Sequence, residues 1–343
     1  MGMIGATLIR AGRRFLSSLP ALFGVLVFTF LLMRVLPGDP AVFFASGPNA
    51  GKEEIEVIRK QLGLNKPLPE QLAIYLYDVG RGSLGNSMMT GQPVAKDLRE
   101  RLPASLELTL TALIIALTLA VPLGVVAALR PGSIIDHGVR LFCSLGVCVP
   151  TFVSGLLLIY VFYYLLGLAP DPTGRVDVFT TLPPSRTGFL IVDFLLAGDF
   201  EGWWAAVRQL ILPAITMALF VIAPLSRITR ASMLVSLGSD FVRTARSVGL
   251  SWWRIVVTYA LRNAILPVIT IAGIVFSTML GANVLVEKVF SWPGVASYAL
   301  DALLVSDYAP VQGFVLLMAS IFVIINLVVD VLYGIADPRA TVA

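Results

Sequence analysis

The stretch FVRTARSVGLSWWRI, residues 241–255, carries Arg243, Arg246 and Arg254 and a tryptophan pair, Trp252–Trp253. It stands between two long apolar runs, so the fold turns on why a basic, glycine-punctuated segment is kept there. Read locally, Ser239 or Asp240 can cap a helix whose first N–H groups need acceptors. Residues 241–248 then make two turns, Gly249 offers a left-handed stop, and Ser251 can cap a second helix. That second helix continues through WWRIVVTYALRNAILP into the next apolar run. The pattern predicts a helix, a turn and another helix standing out of an apolar body. Thr244 and Ala245 are small, which would let the first helix enter a groove closely. The tryptophan pair suits an interfacial anchor.

The body is indeed apolar. Of 343 residues, 57% are hydrophobic and only 13% charged, with a mean hydropathy of +0.87. Soluble domains carry about 25% charge, so too few polar residues exist to cover a soluble surface. This composition predicts an all-α polytopic membrane protein. The net charge of +4 reads as lysine and arginine gathering on the cytoplasmic side, not as a nucleic-acid surface.

A bilayer core takes about 20 apolar residues in a helix. Six runs meet that test: 17–36, 106–129, 139–168, 207–226, 266–286 and 311–334. The first follows Arg10, Arg13 and Arg14 but runs into LPGDP without a small-residue cleavage site, so it reads as a retained anchor. Prolines 122, 150, 213 and 224 fall in or at the ends of these spans and imply a packed bundle. Gly146, Ser154, Gly155, Ser277, Thr278 and Gly281 would permit close helix contact. Residues 53–63 and 69–79 read as short amphipathic helices. The stretch 189–200 is too short and acidic to span and reads as interfacial.

Charge sets the orientation. Three arginines precede the first span, two lie in 130–140, six in 227–262 and one beyond the last span. That side holds only four acids, Asp136, Asp240 and Asp337 in these segments and Asp330 near the inner end of the last span. Both termini are therefore expected in the cytoplasm. The organisation is a cytoplasmic N-terminus over 1–16, a first helix over 17–36 and an extracytoplasmic segment over 37–105. A core of five further helices over 106–343 follows, with a cytoplasmic loop at 227–262.

Site chemistry is sparse. Cys143 and Cys148, five residues apart, do not share a helix face; neither a disulfide nor a metal site is expected. His137 reads as a loop residue. The nearest approach to a phosphate-cradling loop, GPNAGKE at 47–53, is one residue short between its glycines and has Glu53 where a hydroxyl is needed. Hydrolysis by this chain alone is not expected. Arg34, Glu107, Arg208 and Glu287 lie near span ends, within reach of the interface. Asp330, inside a span, reads as a structural partner near the inner boundary more than as a proton relay. Interiors otherwise almost free of charge argue against an ion-coupled carrier; six spans alone would permit such a carrier or a self-sufficient channel, and only the cytoplasmic helix pattern argues otherwise.

Three readings compete for 241–255: a topology or lipid anchor, a DNA-binding helix-turn-helix, and a docking helix for a cytoplasmic partner. The order cap, small residues, glycine stop, cap favours docking, since a charge anchor needs none of it. At these residues the chain resembles the membrane subunits of ABC-type importers for peptides and nickel. Their cytoplasmic loop carries a Glu-Ala-Ala, three residues, Gly signature, followed by Leu-Pro. The matching positions are Arg243, Thr244, Ala245, Gly249, Leu266 and Pro267, with Arg-Thr replacing the Glu and first Ala as in the peptide-permease version. LPGDPA (36–41), GLNKPLPEQ (63–71), SLGNSMMTGQPV (83–94), RLPASLELTL (101–110) and DHGVRLFCSLGVCVPTFVSGLLL (136–158) follow the same pattern. So do VLVEKVFSWPGVASYALDALLVSDYAPVQG (284–313) and NLVVDVLYGIADPR (326–339). The closest pattern is the first permease subunit of dipeptide and oligopeptide systems, although 169–206 is longer than that family would have.

The resemblance implies the six-helix type I importer fold with a cytoplasmic coupling helix, in the cytoplasmic (inner) membrane. It implies a second homologous permease, two cytoplasmic ATPase subunits and an extracytoplasmic peptide-binding protein as partners, with the lipid bilayer around them and no nucleic acid. ATP and magnesium would be held by the ATPases, leaving no cofactor in this chain. Arg243, Thr244, Ala245, Arg246 and Gly249 would seat in an ATPase groove, and Leu266–Pro267 would pass the tilt into the fifth span. Segments 40–103 and 284–313, with Trp292 taken as exposed, would meet the binding protein. Nickel, glutathione, oligosaccharides and peptide antibiotics remain alternative cargoes.

Overall fold

The computed structural model describes residues 3–35, 39–45, 51–177 and 180–336, with backbone alone at 3–11, 13–15, 330 and 332–336. Among the described residues the named elements are all helices, joined by turns and by an isolated β-bridge between Asn86 and Pro93. Helix α1 (Met3–Val35) is followed by the short α2 (Pro40–Phe44), α3 (Lys52–Gln61) and α4 (Leu68–Gly80). A long α5 (Val94–Leu129) leads to α6 (Ile134–Cys148) and α7 (Thr151–Leu158), which continues as a π-helical stretch over Ile159–Leu165. Then come α8 (Leu190–Ala197), α9 (Phe200–Leu237), α10 (Asp240–Ser247) and α11 (Trp252–Arg254). A second π-helical stretch, Ile255–Leu261, joins α11 to α12 (Arg262–Ala282), before α13 (Val284–Val289), α14 (Val295–Leu304) and α15 (Tyr308–Ala336).

Among the described residues five helical runs are long and apolar enough to cross a membrane: Leu16–Val35, Val94–Leu129, Phe200–Leu237, Trp252–Ala282 and Tyr308–Val329. The sixth predicted span, 139–168, is broken. Its two halves, Ile134–Cys148 and Thr151–Leu165, meet at 99°. At the break Pro150 offers no N–H to continue α6 and disfavours helical backbone at Val149, which is extended (φ −91°, ψ 125°). Prolines 213 and 224, by contrast, sit inside the continuous α9. That helix has 38 residues, about 57 Å at 1.5 Å per residue, well beyond the ~30 Å hydrocarbon thickness. Part of it therefore extends beyond the hydrocarbon layer.

The described chain forms two compact units, one of residues 1–105 with 293–324, the other of 106–292 with 325–343. In the first, Phe30 of α1 stacks on Tyr75 of α4 at 5.6 Å. Val94, Leu98, Val295 and Tyr298 make its buried core, and the Tyr298 hydroxyl donates to Asp97 Oδ2 at 2.8 Å. The predicted helices at 53–63 and 69–79 are present as α3 and α4. In the second unit α9 is the hub, packing against α6, α7, α8 and α12. Gly146 lets α6 approach closely, since a Cβ there would stand 2.9 Å from the Leu219 carbonyl oxygen. Gly281, expected at such a contact, has no neighbour within 4 Å.

Several ionisable residues sit differently from the expectation. Glu107 is buried, pairs with Arg175 and accepts from the Ile191 N–H at 2.8 Å. Glu287 is wholly buried and accepts from Asn283 Nδ2 at 3.4 Å. Both carboxylates therefore turn inward instead of reaching an interface, because partners compensate their desolvation. Arg34 is half-buried between two aromatic rings; of the four, only Arg208 is exposed, donating to the Leu168 carbonyl. His137 lies in the first turn of α6, not in a loop, with its Nδ1 beside Arg140 Nη2 at 2.6 Å. Trp292 is buried at 2% exposure, its N–H bonded to the Glu287 carbonyl at 2.7 Å as α13 closes. It is a packing residue and offers no outer contact surface. The Asp330 side chain, like residues 47–50 of the GPNAGKE stretch, lies outside the described residues.

Candidate functional site

Helix α10 stands where the sequence placed it, and its attachment is built from few groups. Val242 and Ala245, three positions apart and so on one face, are buried with Ile255, and Leu250 packs against them. The opposite face carries Arg243, Thr244 and Ser247, all exposed, with Phe241 and Val248 on its flank. Ala245 thus faces its own chain and supplies no surface to a groove. A side chain larger than methyl would disturb the hairpin before it met a partner.

The turn after α10 uses the left-handed conformation expected of Gly249, φ +76°. The Gly249 N–H bonds to the Arg246 carbonyl at 3.0 Å and the Leu250 N–H to the Ala245 carbonyl at 3.2 Å. This pair of bonds, with Leu250 packed near Ala245, is the Schellman arrangement that closes a helix. The start is less orthodox. Ser239 adopts cap backbone geometry (φ −76°, ψ 158°), yet its hydroxyl donates back to the Ser236 carbonyl, so no side chain caps α10. Ser251 likewise caps by backbone only. Asp240, in the first turn, complements the helix dipole; its 3.4 Å pair with Arg243 is fully exposed and worth little. Arg246, in the last turn, lies over the Trp252 ring at 4.5 Å, joining the two arms of the hairpin through a cation–π contact.

Arg243, Thr244, Ala245, Arg246 and Gly249 therefore come together in one hairpin. Leu266 and Pro267 do not; they lie half-buried inside α12, about 20 Å further along at helical rise. Between the two groups runs the π-helical turn Ile255–Leu261, whose Val256 and Ala260 are buried with Ala128, Met233 and Ala264. Pro267 lacks an N–H, so the helix there has one bond fewer. The connection is continuous but irregular at two points.

Two features escaped sequence reasoning. Arg230 on α9 makes a bidentate pair with Asp136, both contacts at 2.7 Å, and Asp136 also accepts from the Gly132 N–H at 2.9 Å. Asp136 is 1% exposed, so this is a fixed joint near the base of the hairpin; residues 94 positions apart leave no local signal. The second is a cleft of about 360 Å³ at the bend between α6 and α7, bordered by Pro150, Met217, Phe220, Pro224, Thr278 and Asn283. Its wall is almost wholly apolar.

Comparison with known proteins agrees with this architecture. Residues 120–342 match the family described as binding-protein-dependent transport system inner membrane component, and residues 8–109 match its N-terminal component. The chain is 41% identical over 321 residues to the di/tripeptide transport system permease protein DppB of Pseudomonas aeruginosa, covering 94% of this chain and 95% of that one. It is 41% identical over 316 residues to the probable D,D-dipeptide transport system permease protein DdpB of Escherichia coli, with 92% of each covered. Against the dipeptide transport system permease protein DppB of Escherichia coli the identity is 39% over 323 residues, 94% of this chain and 95% of the relative. The chain belongs to the family of inner-membrane permease components of binding-protein-dependent ABC transport systems.

Proposed function

We propose that this chain is the permease half through which an ATP-driven importer moves di- or oligopeptides, and that α10 is the lever by which partner ATPases work it. The observation that carries the reading is the division of α10 into two faces. Val242 and Ala245 fasten it to Ile255, while Arg243, Thr244 and Ser247 stand free on the other side. A helix held this way transmits a push as a rigid body. Its arm continues through α11 and the π turn into α12, where Pro267 weakens the ladder. Rocking of bundle elements about such points is an established kind of switch.

In this reading ATP is bound and hydrolysed by partner subunits, a second homologous permease completes the passage, and an extracytoplasmic protein delivers the cargo. Both termini face the cytoplasm, which puts Ser247 on the ATPase side. The names of the relatives support a peptide cargo, and the apolar cleft beside the bend at Pro150 suits side chains of varied character. Nickel, glutathione, oligosaccharides and peptide antibiotics are the competing cargoes. Uptake competition among dipeptides, longer peptides and nickel ions in the reconstituted complex separates them.

The lever is tested by placing a photo-crosslinking residue at Thr244 in the assembled transporter. Capture of an ATPase subunit, together with loss of uptake but retained ATP turnover in Thr244→Trp, is the expected result. Crosslinks to lipid alone, with full uptake in Thr244→Trp, would overturn it.

A further inference from the structure

We propose that the pocket beside Arg34, in the unit formed by residues 1–105 and 293–324, is a binding site for a small carboxylate. The pocket measures about 150 Å³, and Arg34, Pro40, Phe44, Leu64, Asp307 and Gln312 are among its walls. Two of these carry donors that are buried and unmatched: among the described residues Arg34 Nη1 and Gln312 Nε2 have no hydrogen-bond acceptor. Gln312 is 7% exposed. Buried polar groups in native proteins are nearly always paired, so two idle donors at one cavity point to an acceptor that arrives from outside.

The surroundings define that acceptor. The Arg34 guanidinium is clamped between the Phe30 ring at 4.6 Å and the Tyr308 ring at 4.7 Å. Its Nε donates to Gln71 Oε1 at 3.0 Å, and Gln71 is itself fixed by donating to the Lys66 carbonyl at 2.8 Å. The cation is thus oriented by groups that do not neutralise it, and among the described residues Arg34 makes no ion pair. Gln312 follows Tyr308 by four positions on α15 and so shares its face. The neighbouring Asp307 makes no ion pair with Arg34 among the described residues; its Oδ2 accepts from the Ser87 hydroxyl, the Met88 N–H and the Met89 N–H at 2.7–3.1 Å. Asp39 is taken by Arg59. An oriented guanidinium and a carboxamide N–H lining one pocket offer donors of the kind that the two oxygens of a carboxylate accept. Pro40, Phe44, Leu62 and Leu64 offer an apolar wall to the few carbons attached to it.

The carboxylate has two sources, a free organic acid anion or the C-terminus of a peptide. Only the second leans on the peptide-import reading, and the assay separates them. The assembled transporter in nanodiscs, in carboxylate-free buffer, is titrated by calorimetry with acetate, diglycine and glycylglycinamide. Saturable binding of acetate or diglycine, about tenfold weaker in Gln312→Leu as one hydrogen bond to a charged group is lost, is expected, with glycylglycinamide inert. Equal binding of acetate and diglycine identifies a general carboxylate site; a preference for diglycine identifies the peptide terminus. Arg34→Gln should abolish binding, and the milder Gln312→Leu keeps the question open to test if Arg34→Gln fails to assemble. No saturable binding in the unaltered complex, binding unchanged in Gln312→Leu, or glycylglycinamide binding as well as diglycine, would overturn the site.

Discussion

Arg230 and Asp136 hold each other through two parallel contacts of 2.7 Å, Nε to Oδ1 and Nη2 to Oδ2. Arg140 reaches the same carboxylate only at 3.6 Å and is half-exposed. The two arginines are therefore unequal. Arg230→Ala leaves a buried carboxylate without its principal partner and should lower both the melting temperature of the assembled transporter and its uptake rate. Arg140→Ala should change either quantity far less. Equal effects from the two variants would show that the fork does not fasten this joint.

The hairpin rests on Ile255. Truncating a buried isoleucine to alanine costs about 2–5 kcal/mol, and here the loss falls on an eight-residue helix with little other support. Ile255→Ala should accelerate amide exchange across residues 241–250 while leaving exchange in α9 unchanged. Uptake should fall more than ATP turnover. Uniform exchange throughout the chain would instead mean global destabilisation.

Gly249 is tested through its backbone. At φ +76° a β-branched side chain is strained by about 1–2 kcal/mol, whereas asparagine tolerates this region. Nothing stands within 4 Å of a Cβ there, so the effect is conformational and not a clash. Gly249→Val should reduce coupled uptake several-fold; Gly249→Asn should retain most of it.

How much of this was legible in sequence follows from the range over which each feature is determined. The left-handed turn at Gly249 and the extent of α10 depend on neighbours within a few residues, and the spans on composition over twenty. Pro150 was visible, but whether a proline kinks a helix or ends it depends on what packs nearby. α9 keeps two prolines inside it, while α6 stops at one. The inward face of Ala245 is set by Ile255, ten residues on, and the burial of Trp292 overturns its reading as part of an exposed outer segment. The fork between Asp136 and Arg230 joins distant segments and left no pattern to read.

Orientation is checked by labelling. In a background with Cys143 and Cys148 replaced by alanine, a cysteine at the exposed Ser247 should react with membrane-impermeant maleimide only in inverted vesicles. A cysteine at the exposed Lys288 should react only in right-side-out ones. The reverse pattern would invert the topology and remove α10 from the reach of ATP.

Asp193 predicts a pH dependence. Burial would raise its carboxyl, but the Thr187 N–H and hydroxyl, each at 2.8 Å, and the Gly188 N–H at 3.0 Å outweigh that and hold it below the usual carboxylate value. A depressed value means the stabilisation is present at neutral pH and is lost only as pH falls below about 4, through the folded-state value. Exchange protection of the Thr187 and Gly188 amides should hold down to about pH 5 and decay below pH 4. In Asp193→Asn the pH step should vanish.

The widened coil at Ile255–Leu261 has a mechanical meaning. It stores one surplus residue between spur and membrane rod, and a residue occupies about 100° of an ordinary helix. Tightening that coil would twist the rod beyond it by roughly a quarter turn without cutting the chain, so the lever proposed at Thr244 would deliver its thrust beyond the coil as torque.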